Sequence, residues 1–261
     1  MTGKPSYSTH EMRAQCRAGS FTGATAGHAG GMVQANLMIV PRDAAADFQS
    51  FCERNPKPCP LIEVLDAGTV EPKCAPGADI RTDLPGYRVF RNGNLSEEVP
   101  AIRGIWREDL VSFLIGCSFS FEEALLAGGI PLRHIALGRN VAMYRTNIAC
   151  KPAGCFHGPL VVSMRPLKAN LVDRAVEICT RFARVHGAPV HAGSPDALGI
   201  RNLQRPDYGD AVPIETGEVP VFWACGVTPQ AAAVASGIPF CITHAPGKMF
   251  VTDLRNEDLA G

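Results

Sequence analysis

Thiol and hydroxyl groups crowd into one stretch of this chain, residues 116–126 (GCSFSFEEALL). Cys117, Ser118 and Ser120 stand at the edge of an apolar segment. Ser120 and Glu123 have the Ser-x-x-Glu spacing of a capping box. A helix starting there gathers unpaired N–H groups and the positive end of its dipole beside these side chains. Such a corner can seat a carboxylate or a phosphate, with thiol and hydroxyls alongside. The same residues also suit ordinary caps and a small buried thiol. A second corner, residues 225–229 (CGVTP), has the same character: Thr228 can cap, and Pro229 suits the first helical position. A helix N-terminus lowers a thiol's pKa. Cys117 and Cys225 are therefore candidate nucleophiles, with a buried, inert thiol as the competing reading of each.

Arginines and histidines supply further chemistry. Arg145-Thr146-Asn147 and Ser163-Met164-Arg165 follow or end apolar strands. An arginine beside amide or hydroxyl groups makes a fork for a carboxylate, or equally a structural ion pair. His191 follows His186 across Gly187 and Pro189, and His244 precedes Pro246-Gly247. Histidine titrates near neutral pH and can move protons; the alternative is a histidine bonded to backbone at a helix end or turn.

Composition narrows the setting. The chain has 261 residues, 46% of them hydrophobic, enough for one large domain or two small ones. Its 25 basic and 25 acidic residues cancel, without a basic tail, which argues against nucleic acid. No apolar run is long enough to span a membrane, and residues 1–13 lack the apolar core of a signal peptide, so a cytoplasmic protein is expected. The ten cysteines include no Cys-x-x-Cys pair and no convincing zinc spacing, and most read as reduced, buried thiols. No metal and no cofactor is expected.

Several elements must position these groups. Helical spacing of apolar residues predicts a helix over 106–115, ended by Gly116, then a short helix closed by Gly128-Gly129. A capping box at Ser8 and Glu11 starts a helix stopped by Gly19. Residues 21–31 form a glycine-rich loop without the order of a phosphate loop. Residues 34–40 read as a buried strand with polar Gln34 and Asn36 at its start. Asp43 can cap the next helix, which ends by Asn55 before three prolines. Strands are expected at 61–65, 87–90, 131–137, 143–148, 159–164, 221–224, 240–243 and 249–252, with a hairpin turn at 92–94. The longest helix is expected over 170–186. The strand–turn–helix–strand order after 219 suggests a doubly wound layer with its ligand near residues 225–228. The fold expected is α/β with α+β elements: two lobes, with a mixed sheet flanked by helices and a smaller inserted α/β lobe. Residues 1–127 plus 209–261 would form the main lobe and 128–208 the insert.

Ten ordered motifs add a resemblance. They are QANL (34–37), FCERNPKPCPLIEV (51–64), DIRTDLPGYRVFRNG (79–93), GCSFSFE (116–122), RHI (133–135), MYRTN (143–147), GPLVVSMRP (158–166), HGAPVH (186–191), FWACGVTPQ (222–230) and ITHAPGKMFVTD (242–253). With them the chain resembles the D-glutamate cyclase family, whose bacterial branch is described as hydro-lyases, from about residue 13 to 253. Gly86 and Met32 depart from the family pattern, which often has a basic residue and an aromatic there. The resemblance implies a two-lobed α/β lyase that closes D-glutamate to 5-oxo-D-proline with loss of water, or acts on a related small amino or carboxylic acid. On this expectation Cys117, Ser118, Ser120, His191 and His244 carry the catalysis. Arg81, Arg145, Asn147, Arg165, Cys225, Gly226 and Thr228 bind substrate. A small acid is the expected partner, with neither nucleic acid nor membrane, and a homodimer is allowed. Two other readings stay open: a non-catalytic binder of small acids, and an amide-cleaving enzyme using Cys117 or Cys225.

Overall fold

The computed structural model describes residues 7–260. Eleven strands among them form two sheets. The first sheet holds β1 (Met32–Pro41), β2 (Leu61–Leu65), β3 (Tyr87–Arg91), β4 (Asn94–Val99), β5 (Leu110–Gly116), β10 (Phe240–His244) and β11 (Phe250–Arg255), in the order β2-β5-β1-β10-β3-β4. β11 pairs with the first half of β1, below the point where β10 leaves it. The second sheet has the order β6 (Ala142–Ala149), β7 (Pro159–Lys168), β9 (Glu218–Ala224), β8 (His191–Ala192). Six helices flank the sheets: α1 (Thr9–Arg17), α2 (Arg42–Arg54), α3 (Phe119–Ala127), α4 (Arg133–Ala136), α5 (Val172–Thr180) and α6 (Thr228–Ala235).

The α/β class is as expected, but every strand pairing is antiparallel, so the doubly wound layer does not form. The last strand–helix–strand unit instead crosses between sheets, β9 in one and β10 in the other. β9 also brings residues beyond 208 into the sheet of β6 and β7.

Burial explains where the local reading fails. The expected helix over 106–115 is largely β5. All seven of its residues are buried: Val111, Phe113 and Ile115 enter the core between the sheets, and Leu110 and Leu114 enter the core on the other face. A strand buried on both faces shows a continuous apolar run, so its period of two is hidden. Gly116 is accordingly no left-handed cap. It ends β5 against Val185, where a Cβ would lie 2.7 Å from Cγ1. The strand expected at 131–137 contains α4 instead. The long helix stops at Thr180, and a 3-10 turn (Ala183–Val185) carries Phe182 and Val185 into the core before His186 turns left-handed at φ 84°. The capping box at Ser8 forms as read, whereas the one at Ser120 does not: Ser118 is the cap residue, and Ser120 lies in the first turn. Asp43 likewise lies in the first turn of α2, behind Pro41.

The three largest of five apolar clusters among the described residues hold the layers. One joins both sheets to α2 through Phe48, Phe113, Tyr144, Met164 and Phe222. A second covers the outer face of the first sheet. The third packs Val221 and Trp223 of β9 against α3 and α5. No helix among the described residues is long and apolar enough to cross a membrane.

Candidate functional site

The two corners picked out in the sequence meet in space. β5 ends at Gly116 and feeds α3; β9 ends at Ala224 and feeds α6. Asn36, on the neighbouring β1, ties them together. Its Nδ2 donates to the Gly116 carbonyl (2.7 Å). A Cβ on Gly226 would lie 2.0 Å from that same nitrogen, so only glycine lets the backbone approach. Gly226 is thus a packing requirement of the joint.

Arg165 is the hub beneath this joint. It is 0% exposed. Its Nη2 donates to Ser118 Oγ (3.0 Å) and its Nη1 to Ser163 Oγ (3.0 Å). Nε and Nη2 both donate to Glu122 Oε1, Nε at 3.1 Å. The guanidinium also lies over the rings of Phe121 (5.3 Å) and Trp223 (5.2 Å), which pack against each other. A buried charge is tolerated only when paired and hydrogen-bonded. Arg165 meets that condition inside the protein, so it holds Glu122 and does not present an open fork to a ligand carboxylate.

Glu122 is the candidate residue that sequence reasoning passed over. It is 4% exposed. Burial is the largest single influence and would raise its pKa, but Arg165 and His134 together outweigh it, and the carboxyl stays below its ordinary range. His134, 1% exposed, places Nε2 3.1 Å from Glu122 Oε1. That is ion-pair range, off the line of a hydrogen bond, and neither His134 ring nitrogen has a hydrogen-bond partner among the described residues. The signal for both residues lay in the GCSFSFE and RHI blocks, as the one acid and the one histidine next to apolar neighbours.

Glu122 lines a cavity of about 230 Å³. The glycine-rich loop roofs it, Gln34 and Phe119 wall it, and Ile135 and Asn256 complete it. The volume lies below that of pockets for drug-sized ligands, about 300–1,000 Å³, and suits a small metabolite. The roof is pinned: Gly31 N–H donates to Glu123 (2.8 Å), and Thr25 N–H donates to the Gly247 carbonyl (2.8 Å). Ser120 faces an adjoining cleft under Gly30 and Gly31, its buried Oγ without a hydrogen-bond partner among the described residues.

The remaining sequence candidates fall into other places. Cys117 and Cys225 are buried near one another, and burial pushes their thiols up to about 12 and about 11. Both are therefore protonated at neutral pH, the opposite of an activated nucleophile. The first-turn N–H groups of Ser120, Phe121 and Thr228 already donate to the carbonyls of Cys117, Ser118 and Cys225. Thr228 Oγ1 bonds the Val161 backbone. His244 lies on the far edge of β1 from Gly116; its Nδ1 accepts from the Leu37 N–H (3.2 Å), and burial pushes its pKa down to about 4. Arg145 is exposed and bonded to Tyr208 Oη. Asn147 lines a separate cleft with His157 and Pro152. Arg81 is paired with Asp79 and packs over Trp106 on the outer face of the first sheet. His191 stacks on Phe222 in the intersheet core, on the other face of β9 from Trp223 and Arg165. No group of three or more His, Cys, Asp or Glu among the described residues is placed to hold a metal.

A small cavity with a buried, charge-paired carboxylate at its wall defines an α/β protein with an enzyme-like site. The sequence comparisons name its family. The family model for D-glutamate cyclase matches residues 111–253. A Stutzerimonas stutzeri protein described as "Putative hydro-lyase" is 60% identical over 99% of this chain and 98% of its own length. Relatives with the same description from Bordetella pertussis (60%, 96% of this chain, 91% of theirs) and Thermoanaerobacter sp. (58%, 96% and 95%) are similar. The chain belongs to the D-glutamate cyclase family, in its hydro-lyase branch of lyases.

Proposed function

We propose that this chain dehydrates D-glutamate to 5-oxo-D-proline, or a related small amino acid to its cyclic product, in the cavity beside Glu122. The observation that carries the reading is the buried carboxylate of Glu122, held ionised by Arg165 and His134 at the wall of a metabolite-sized cavity. The ring closure needs one group to relay two protons from nitrogen to the departing oxygen, one lost from the α-ammonium before attack and one from the nitrogen after the C–N bond forms. Glu122 supplies that group. The freed amine attacks the side-chain carboxyl carbon, a C–N bond forms, and a C–O bond breaks as the oxygen takes its protons and leaves as water. General acid–base assistance of this kind contributes roughly 10²–10⁴-fold. Arg165, itself held by Ser118 and Ser163, positions the carboxylate, and His134 lies against it. The burial of both corner thiols speaks against the cysteine-dependent reading.

The test is turnover of D-glutamate by purified protein, read by chiral chromatography and mass spectrometry, with L-glutamate and hydroxy acids alongside. Formation of 5-oxo-D-proline above the uncatalysed rate, and its loss in Glu122→Gln with folding retained, is the expected result. Binding of acids without any dehydrated product would identify a non-catalytic binder and end the proposal.

A further inference from the structure

Acceptors dominate the polar lining of the Glu122 cavity. Gln34 is 4% exposed, and its Nε2 donates to the carbonyls of Thr25 (3.1 Å) and His28 (3.0 Å). Both partners are acceptors, so only the NH₂ side of the amide can face them. That fixes Oε1 on the other side of the fork, where it is buried and has no hydrogen-bond partner among the described residues. Asn256 repeats the pattern across the same cavity: Nδ2 points to Glu123 Oε2 (3.5 Å), and the buried Oδ1 has no partner. No lysine or arginine side chain lines the cavity. An orphaned buried acceptor is costly, and a ligand that donates to it recovers that cost. An ammonium group carries three N–H donors on one nitrogen and can satisfy several acceptors at once.

The geometry points to Gln34 as the residue that reads the substrate's α-ammonium group, its Oε1 acting with the Glu122 carboxylate to select amine-bearing acids over their hydroxy and unsubstituted counterparts. This deepens the proposed function and rests on the Glu122 cavity being the reacting site. The glycine-rich loop acquires a role in it. Thr25 Oγ1 accepts from the Met249 N–H and donates to the Gly247 carbonyl, which holds the loop in place. The loop's carbonyls then orient the amide, and the amide orients the ammonium beside the carboxylate that takes its proton.

Calorimetric titration of the full chain with D-glutamate, D-2-hydroxyglutarate and glutarate tests this without any turnover. D-Glutamate is expected to bind roughly tenfold or more tightly than either analogue, the scale of one charge-assisted hydrogen bond. Gln34→Met keeps the length and removes the acceptor; it should bring the three affinities close together. A merely structural role would weaken all three ligands alike and leave their ratio unchanged. Where the variant fails to fold, the wild-type comparison decides: equal binding of D-glutamate and glutarate, or binding of none of the three, overturns the assignment. An amine preference without turnover leaves Gln34 assigned and removes the dehydration reading. Turnover with an unchanged ratio in Gln34→Met does the reverse.

Discussion

Arg165→Met is the most informative perturbation of this molecule. It removes a fully buried cation that donates twice to Glu122 and once each to Ser118 and Ser163. The methionine can still pack against Phe121 and Trp223, so the loss is mainly electrostatic. Leaving one member of a buried ion pair uncompensated costs roughly 3–5 kcal/mol. For a chain of this size, each kcal/mol is about 2–4 °C in melting temperature, so the expected fall is roughly 6–20 °C. The double variant Arg165→Met with Glu122→Gln should recover most of it, because no buried charge is left behind. The pH dependence should flatten. In the parent, Glu122 is held below its unfolded pKa, so its contribution is present above about pH 4.3 and is lost as pH falls through the folded value. In the variant only His134 still opposes burial, so the folded pKa rises and the stability lost between neutral pH and about pH 4 shrinks. Urea denaturation between pH 4 and 8 reads both effects. Arg107, exposed and paired with Asp109, is the control, and its loss should cost under about 1 kcal/mol. If Arg165→Met is no worse than Arg107→Met, or keeps the parental pH slope, the hub assigned to Arg165 is wrong.

Two further outcomes follow from burial. Mass-spectrometric labelling with iodoacetamide at neutral pH should modify exposed Cys155 first, with Cys117 and Cys225 protected in the folded chain; rapid, single-site labelling of Cys117 would revive the nucleophile reading. Burial pushes the pKa of His186 and of His244 down to about 4, so the unfolded chain binds their protons first, and stability is lost as pH falls from about 6.5 toward 4. Each full shift corresponds to roughly 3 kcal/mol. His186→Gln and His244→Gln should each flatten that slope in acid unfolding curves, and a slope identical to the parent's would contradict the assignment.

The sequence by itself determined the pieces whose causes are local. The capping box at Ser8 and the Asn92-Gly93 hairpin turn depend on side chains and φ angles within a few residues, and both form. The half-polar start of β1 also stood out, because Gln34 and Asn36 interrupt an otherwise apolar strand. So did the two corners at Cys117 and Cys225, since small residues before a helix start leave a signature in the chain. Family membership was legible for another reason: ten ordered motifs constrain identity without any knowledge of geometry.

Tertiary structure alone decided the rest. Whether 110–116 is helix or strand depends on two cores pressing on opposite faces, which no local period records. Whether Arg165 clamps a ligand or a neighbour depends on Glu122, which is 43 positions away in sequence and in direct contact in the fold. The thiols of Cys117 and Cys225 were placed correctly at helix starts, yet burial outweighs the helix terminus and keeps them protonated. The cavity joins residues 27–34, 119–135 and 256, three segments that share no periodicity. Burial and charge pairing are sums over neighbours in space, so only the folded chain could fix which candidate residues face a ligand and which face each other.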